Sequence, residues 1–159
     1  GPTTDQDQIV WTAGGFGRFQ STSFLNGSKG SDQTITGGGQ IITFTESSSS
    51  GDINTSSDKF LLLSNRTYLI TVTFQVELPS TGIVSFIWTK NTGTIYNDAI
   101  TQIYGSSYGK TSSGVITTVV QMGSSTERWW VETKNLVGSG TFTAIGGSQW
   151  GCRLTIVSV

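Results

Sequence analysis

Histidine is absent from the 159 residues of this chain. That removes the commonest general base, the usual zinc-ligand set and every Ser-His or Cys-His nucleophile pair. Cysteine occurs once, as Cys152, so no internal disulfide can form and the redox compartment stays undetermined. Charge is scarce as well: nine basic and ten acidic residues make up 12% of the chain and leave a net charge of −1. So balanced a chain lacks the positive field that neutralises phosphates, which argues against nucleic acid as a partner. Long apolar runs are missing too. A stretch such as FLLL at residues 60–63 falls far short of the ~20 residues a membrane-spanning helix needs, so no transmembrane insertion is expected. Helical periodicity is also lacking, because no window of a dozen residues keeps apolar positions at i, i+3, i+4 and i+7 without glycine or β-branched interruptions.

What remains is a chain whose surface must be built from Ser, Thr, Asn, Gln and Gly, a composition that suits extracellular or virion-borne β-proteins. The alternation is clearest at residues 67–78, where Tyr68, Ile70, Val72, Phe74, Val76 and Leu78 share one face and Leu69, Thr71, Thr73, Gln75 and Glu77 the other. Pro79 and the turn at 80–82 then lead to IVSFIWTK at 83–90, which reads as the hairpin partner of the long strand. Both faces of this second segment are apolar, so one face is expected to meet the core and the other a neighbour. Further strands are expected at 16–25, 40–45, 59–63, 99–104, 114–122, 128–135, 141–145 and 152–159, about ten in all. ESSSSGD at 46–52 reads as a flexible exposed loop. Many short strands with almost no helix imply an all-β antiparallel two-sheet sandwich or a barrel. No internal repeat or composition break divides the chain. Residues 1–8 read as a polar lead-in from a stalk and 9–159 as a single domain.

Without histidine, hydrolysis would need two carboxylates. Only Glu77 and Glu132 lie well inside expected strands, both on polar faces, so the chain is read as a non-enzyme with no catalytic residue, cofactor or metal. Gly14-Gly15-Phe16-Gly17 lacks the helix that a dinucleotide fingerprint requires. Cys152 alternates with polar residues alongside Leu154 and Ile156 and reads as a buried packing thiol. Five Trp, four Tyr and eight Phe are more informative. Most read as core, but the consecutive Trp129 and Trp130 must point to opposite faces. One of them therefore needs a partner outside the core: a subunit interface, a ligand surface or a covering loop.

From residue 36 onward the pattern resembles the trimeric jelly-roll superfamily of C1q and tumour necrosis factor domains. GGGQIITFTE, the loop and short strand ending in Phe60, the turn Ser64-Asn65-Arg66 and the long TYLITVTFQV strand with Tyr68 follow that family's order. So do TERWWVETKN, the Gly-rich loop and the Trp150-Gly151 pair leading into the terminal CRLTIVSV. The resemblance is closest to the C-terminal knob of a tail needle or tail fibre in short-tailed bacteriophages. A second setting is the C1q-like tip of spore-surface collagen-like glycoproteins, whose AITQI-like and LTIVSV-like segments this chain shares. The resemblance implies a homotrimer at the end of a needle or fibre on the virion tail, touching a host cell-surface glycan or protein before genome delivery. On the second setting the location would be extracellular or a spore surface. It implies interface positions at Tyr68, Phe74, Trp88, Trp129 and Trp130, and a small anion held by three copies of Arg128 or of Arg153. A carbohydrate-binding module is the alternative from another class.

Overall fold

The computed structural model describes residues 8–12, 15–19, 22–90 and 99–159. Two short strands, β1 (Gln8–Thr12) and β2 (Gly15–Phe19), form an antiparallel hairpin. The other twelve form two antiparallel sheets, and no helix occurs among the described residues.

The first sheet is organised by β8 (Thr67–Glu77), in which buried and more exposed residues alternate over eleven positions. One edge pairs along its whole length with β11 (Thr111–Gln121). The other pairs with β14 (Arg153–Ser158) and, near the Glu77 end, with β13 (Phe142–Ala144). Beyond β14 lie β3 (Phe24–Ser28) and β5 (Thr45–Ser49), and beyond β13 lies β4 (Gln33–Ile35), completing seven strands. The second sheet has five strands in the order β10 (Ile100–Tyr104), β9 (Ile83–Thr89), β12 (Glu127–Val137), β7 (Lys59–Leu62) and β6 (Thr55–Ser56).

The core fills the space between these sheets. Leu25, Tyr68, Ile70, Val72, Phe74, Leu154 and Ile156 enter from the first, and Phe60, Leu62, Val84, Phe86, Trp88, Trp129 and Val131 from the second. Phe74 and Phe86 stack across the gap with ring centroids 4.3 Å apart, while Trp88 stacks between Phe60 and Trp129 at 5.9 and 6.1 Å. Burying such rings stabilises each by roughly 1.5–3 kcal/mol relative to water, which is what the period-two pattern secures.

Several expectations are corrected. The segment after Pro79 is not the hairpin partner of β8: β9 crosses to the other sheet and lies between β10 and β12. β9 has both backbone edges paired there, and nearly all its residues on both faces are buried, whereas β8 takes β11 as its long partner. Residues 40–45 are not a strand. Ile41 makes an isolated bridge to Glu132, and the Ile42 amide donates to the Val131 carbonyl at 2.9 Å. The strand lies one step later, because the polar run at 45–49, read as loop, pairs with β3 as an edge strand. Residues 16–25 hold parts of two strands, β2 and β3, rather than one. Of the polar lead-in, residues 1–7 lie outside the described residues.

Candidate functional site

Alternation leaves one face of the seven-stranded sheet outside the core. Its side chains form rows that the register specifies. Phe24 pairs with Val157, Val157 with Leu69, and Leu69 with Val119, so one apolar residue from each of four adjacent strands lines up across the sheet. Leu69 is 37% and Val119 57% exposed, with Phe24 and Val157 half-buried. The next row on this face is polar (Asn26, Thr155, Thr71, Thr117), and the one after it holds Ser28, Arg153, Thr73 and the half-exposed Val115.

The residues singled out from sequence fall elsewhere, with one exception. Tyr68, Phe74 and Trp88, expected at an interface, have no exposed surface within a single protomer and therefore none left for a neighbour. Period-two alternation separates two faces, but it cannot say which one meets the protomer's own second sheet. Trp129 and Trp130 do point to opposite faces: Trp129 joins the core, and Trp130, 8% exposed, lies under the Lys59 ammonium at 4.4 Å and donates to Glu132 at 3.4 Å. Arg128 and Arg153 are both exposed but belong to different sheets. Arg153 alone sits on the open face, where its Nη2 donates to the Gln149 carbonyl at 3.1 Å. Glu77 and Glu132 are not brought together, since they occupy different sheets; Glu77 is exposed, and Glu132 is buried rather than on a polar face. Cys152 is fully buried, and that burial pushes its thiol pKa up despite backbone hydrogen bonds and Lys29 nearby. Among the described residues no group of His, Cys, Asp and Glu side chains could hold a metal ion.

The two ends of the sandwich differ. At one end the Ser23 amide donates to Ser158 Oγ at 2.7 Å and the Val159 amide to the Thr67 carbonyl at 2.9 Å, so the start of β3, the end of β14 and the start of β8 lie together. Asp52 clamps this end by accepting from the hydroxyls of Ser23 and Ser50 and from Arg66 Nη1 at 2.9 Å. Partial burial pushes its carboxyl upward, but these donors outweigh that and hold its pKa below the ordinary value. A cavity of about 350 Å³ opens on the same half of the molecule, between the Trp88–Trp129 stack and the edge of β11. The Lys90–Glu127 ion pair, 3.0 Å, lines it, and so does Trp88, whose buried indole N–H has no hydrogen-bond partner among the described residues.

The opposite end is built from loops that converge on Pro79. The Gly82 amide donates to the Pro79 carbonyl and the Gly105 amide to the Gly82 carbonyl, both at 2.8 Å. A Cβ at Gly105 would lie 1.9 Å from the Pro79 carbonyl oxygen, and one at Gly140 2.7 Å from the Pro79 ring. Backbone therefore rests on backbone, and the tip is a close-packed floor from which Tyr104 and Tyr108 project, 58% and 100% exposed. β8 joins the two ends, a separation of roughly 35 Å for eleven residues at strand rise.

No family model matches this chain, and no curated protein matches it. Solved structures do. A crystal structure of murine APRIL at pH 8.5 superposes with a TM-score of 0.62 at 11% identity, covering 87% of this chain and 100% of that one. The structure of Eiger TNF from S. frugiperda gives a TM-score of 0.54 at 11% identity, covering 87% and 91%. The sandwich is a TNF-like jelly roll. At such identities the likeness is one of fold, and it carries no residue roles. Within this TNF-like frame, sequence reasoning missed the open-face row and the tip tyrosines. Leu69 was visible as an apolar residue on the polar side of β8, a signal that gains meaning only once Val119, Val157 and Phe24 are in register beside it.

Proposed function

We propose that the chain is the non-enzymatic knob of a trimeric attachment device, most like the tip of a bacteriophage tail needle or tail fibre on the virion. It would meet a host cell-surface component ahead of genome delivery. The observation that carries this reading is the apolar row Phe24–Val157–Leu69–Val119, which lies on the sheet face turned away from the core, with Leu69 and Val119 exposed. A contiguous apolar surface on an otherwise hydroxyl-rich protein marks a place of association, and closed rotational symmetry lets one such face meet a neighbouring copy around a common axis. The resemblance to trimeric C1q and tumour necrosis factor domains supplies the number three. The phage setting rests on that resemblance and on the Ser-, Thr- and Gly-rich surface.

With the sheet face turned inward, the tip around Pro79, at the end away from Ser23 and Val159, is left to meet a surface. Loops carried on a rigid sandwich are where binding residues usually reside. The test is absolute mass by light scattering behind a sizing column. A particle of three times the 17.0 kDa chain mass is expected. A particle of one chain mass at micromolar concentration overturns the reading.

A further inference from the structure

Tyr108 is wholly exposed, on a turn closed by the Ser106–Gly109 bridge and by its own amide donating to Ser106 Oγ at 3.1 Å. Beside it an open, shallow cleft of about 470 Å³ runs between this turn and Pro79. The cleft is lined by Leu78 and Pro79, by Ser80, Ser106 and Ser107, and by the exposed Lys110. No carboxylate lines it among the described residues. An aromatic ring on a turn of fixed backbone offers a stacking surface that costs little to order. A protein partner would call for several apolar anchors desolvated together. Beyond Leu78 and Pro79, this cleft offers the Tyr108 ring, three serines and the Lys110 cation, which match the C–H face, the hydroxyls and the acid group of a sugar.

We propose that the cleft binds a sugar unit carrying a carboxylate, a hexuronic acid, with its ring stacked on Tyr108 and its carboxylate against Lys110. The proposal deepens the attachment reading and takes its biological setting from it. The site lies at the end of β8 remote from the chain entry, where a surface glycan would first be met.

The test is an NMR titration of the ¹⁵N-labelled 159-residue chain with glucuronic acid and, separately, with glucose. Saturable shifts confined to residues 79–82 and 105–110 are expected, with the acid bound about tenfold more tightly through one charge-assisted contact. Tyr108→Ala weakens both sugars by about tenfold or more, and Lys110→Gln brings the acid down to the level of glucose. Both side chains are exposed, so neither substitution threatens the fold. No saturable shift with either sugar, or shifts unchanged in Tyr108→Ala, overturns the site. A chain that binds glucuronic acid but is monomeric sinks the trimeric attachment reading and leaves the site standing. A trimer that binds neither sugar does the reverse.

Discussion

At the scale of single residues, two polar groups hold positions that composition does not announce. Lys29 is 2% exposed, and its ammonium is fully used: it donates to Gln33 Oε1 at 2.6 Å, Thr43 Oγ1 at 2.6 Å and the Thr43 carbonyl at 3.0 Å. Burial lowers its pKa, while Cys152, Asp58 and Asp32 act in the opposite direction. Lys29→Met keeps the stem but strands those acceptors, and should cost about 1–3 kcal/mol in urea denaturation. Asp52 is also held below its ordinary value, though by hydrogen-bond donors rather than by burial. Its carboxyl titrates lower in the folded chain than in the unfolded one, so between the two values the unfolded state binds more protons and stability rises with pH. The Asp52 contribution is complete above the ordinary carboxylate value and is lost as pH falls through the folded value. Melting temperatures measured from neutral pH into acid should therefore fall less steeply for Asp52→Asn than for the parent chain, and parallel curves would refute the clamp.

At the scale of elements, the contrast between β5 and β8 is instructive. β8 is held by side chains, five of them fully buried, and its alternation shows in the sequence. β5 is held by backbone pairing to β3, and four of its five residues are exposed, so its polar run TESSS is indistinguishable from a loop until its partner is known. An edge strand that is short and polar also resists adding further strands. At the tip, loop geometry depends on the absence of side chains. Gly105→Ala would force a methyl group into the Pro79 carbonyl, which belongs to backbone and cannot rotate away. A loss of about 1–3 kcal/mol is expected, as for other overpacked sites, with amide-exchange protection lost first in residues 79–82 and 105–110.

At the scale of the whole molecule, the open face should govern assembly. Leu69→Glu together with Val119→Glu places two carboxylates in the more exposed half of the apolar row, at positions already accessible in the protomer. The protomer should still fold, with an unchanged far-ultraviolet circular dichroism spectrum, while its mass by light scattering drops from three chains to one. The parent chain's melting temperature should rise with protein concentration and that of the double variant should not, because only assembly links stability to concentration. An unchanged mass in the double variant would move the interface away from this face.

Much of this was readable from residues alone, because local physics acts over short distances. Alternation marked β7, β8, β9, β10 and β14 to within about two residues, the missing helical period announced an all-β chain, and the adjacency of Trp129 and Trp130 required opposite faces. Tertiary structure decided what depends on contacts between distant segments. It sent β9 to the opposite sheet from β8, turned the polar run at 45–49 into an edge strand, and buried Tyr68, Phe74 and Trp88 between the sheets. It also drew Phe24, Leu69, Val119 and Val157, scattered over more than a hundred residues, into one row on the face away from the core. A strand's pattern says that one side is apolar. Only the register and the partner across the gap determine whether that side fills a core or waits for a neighbour.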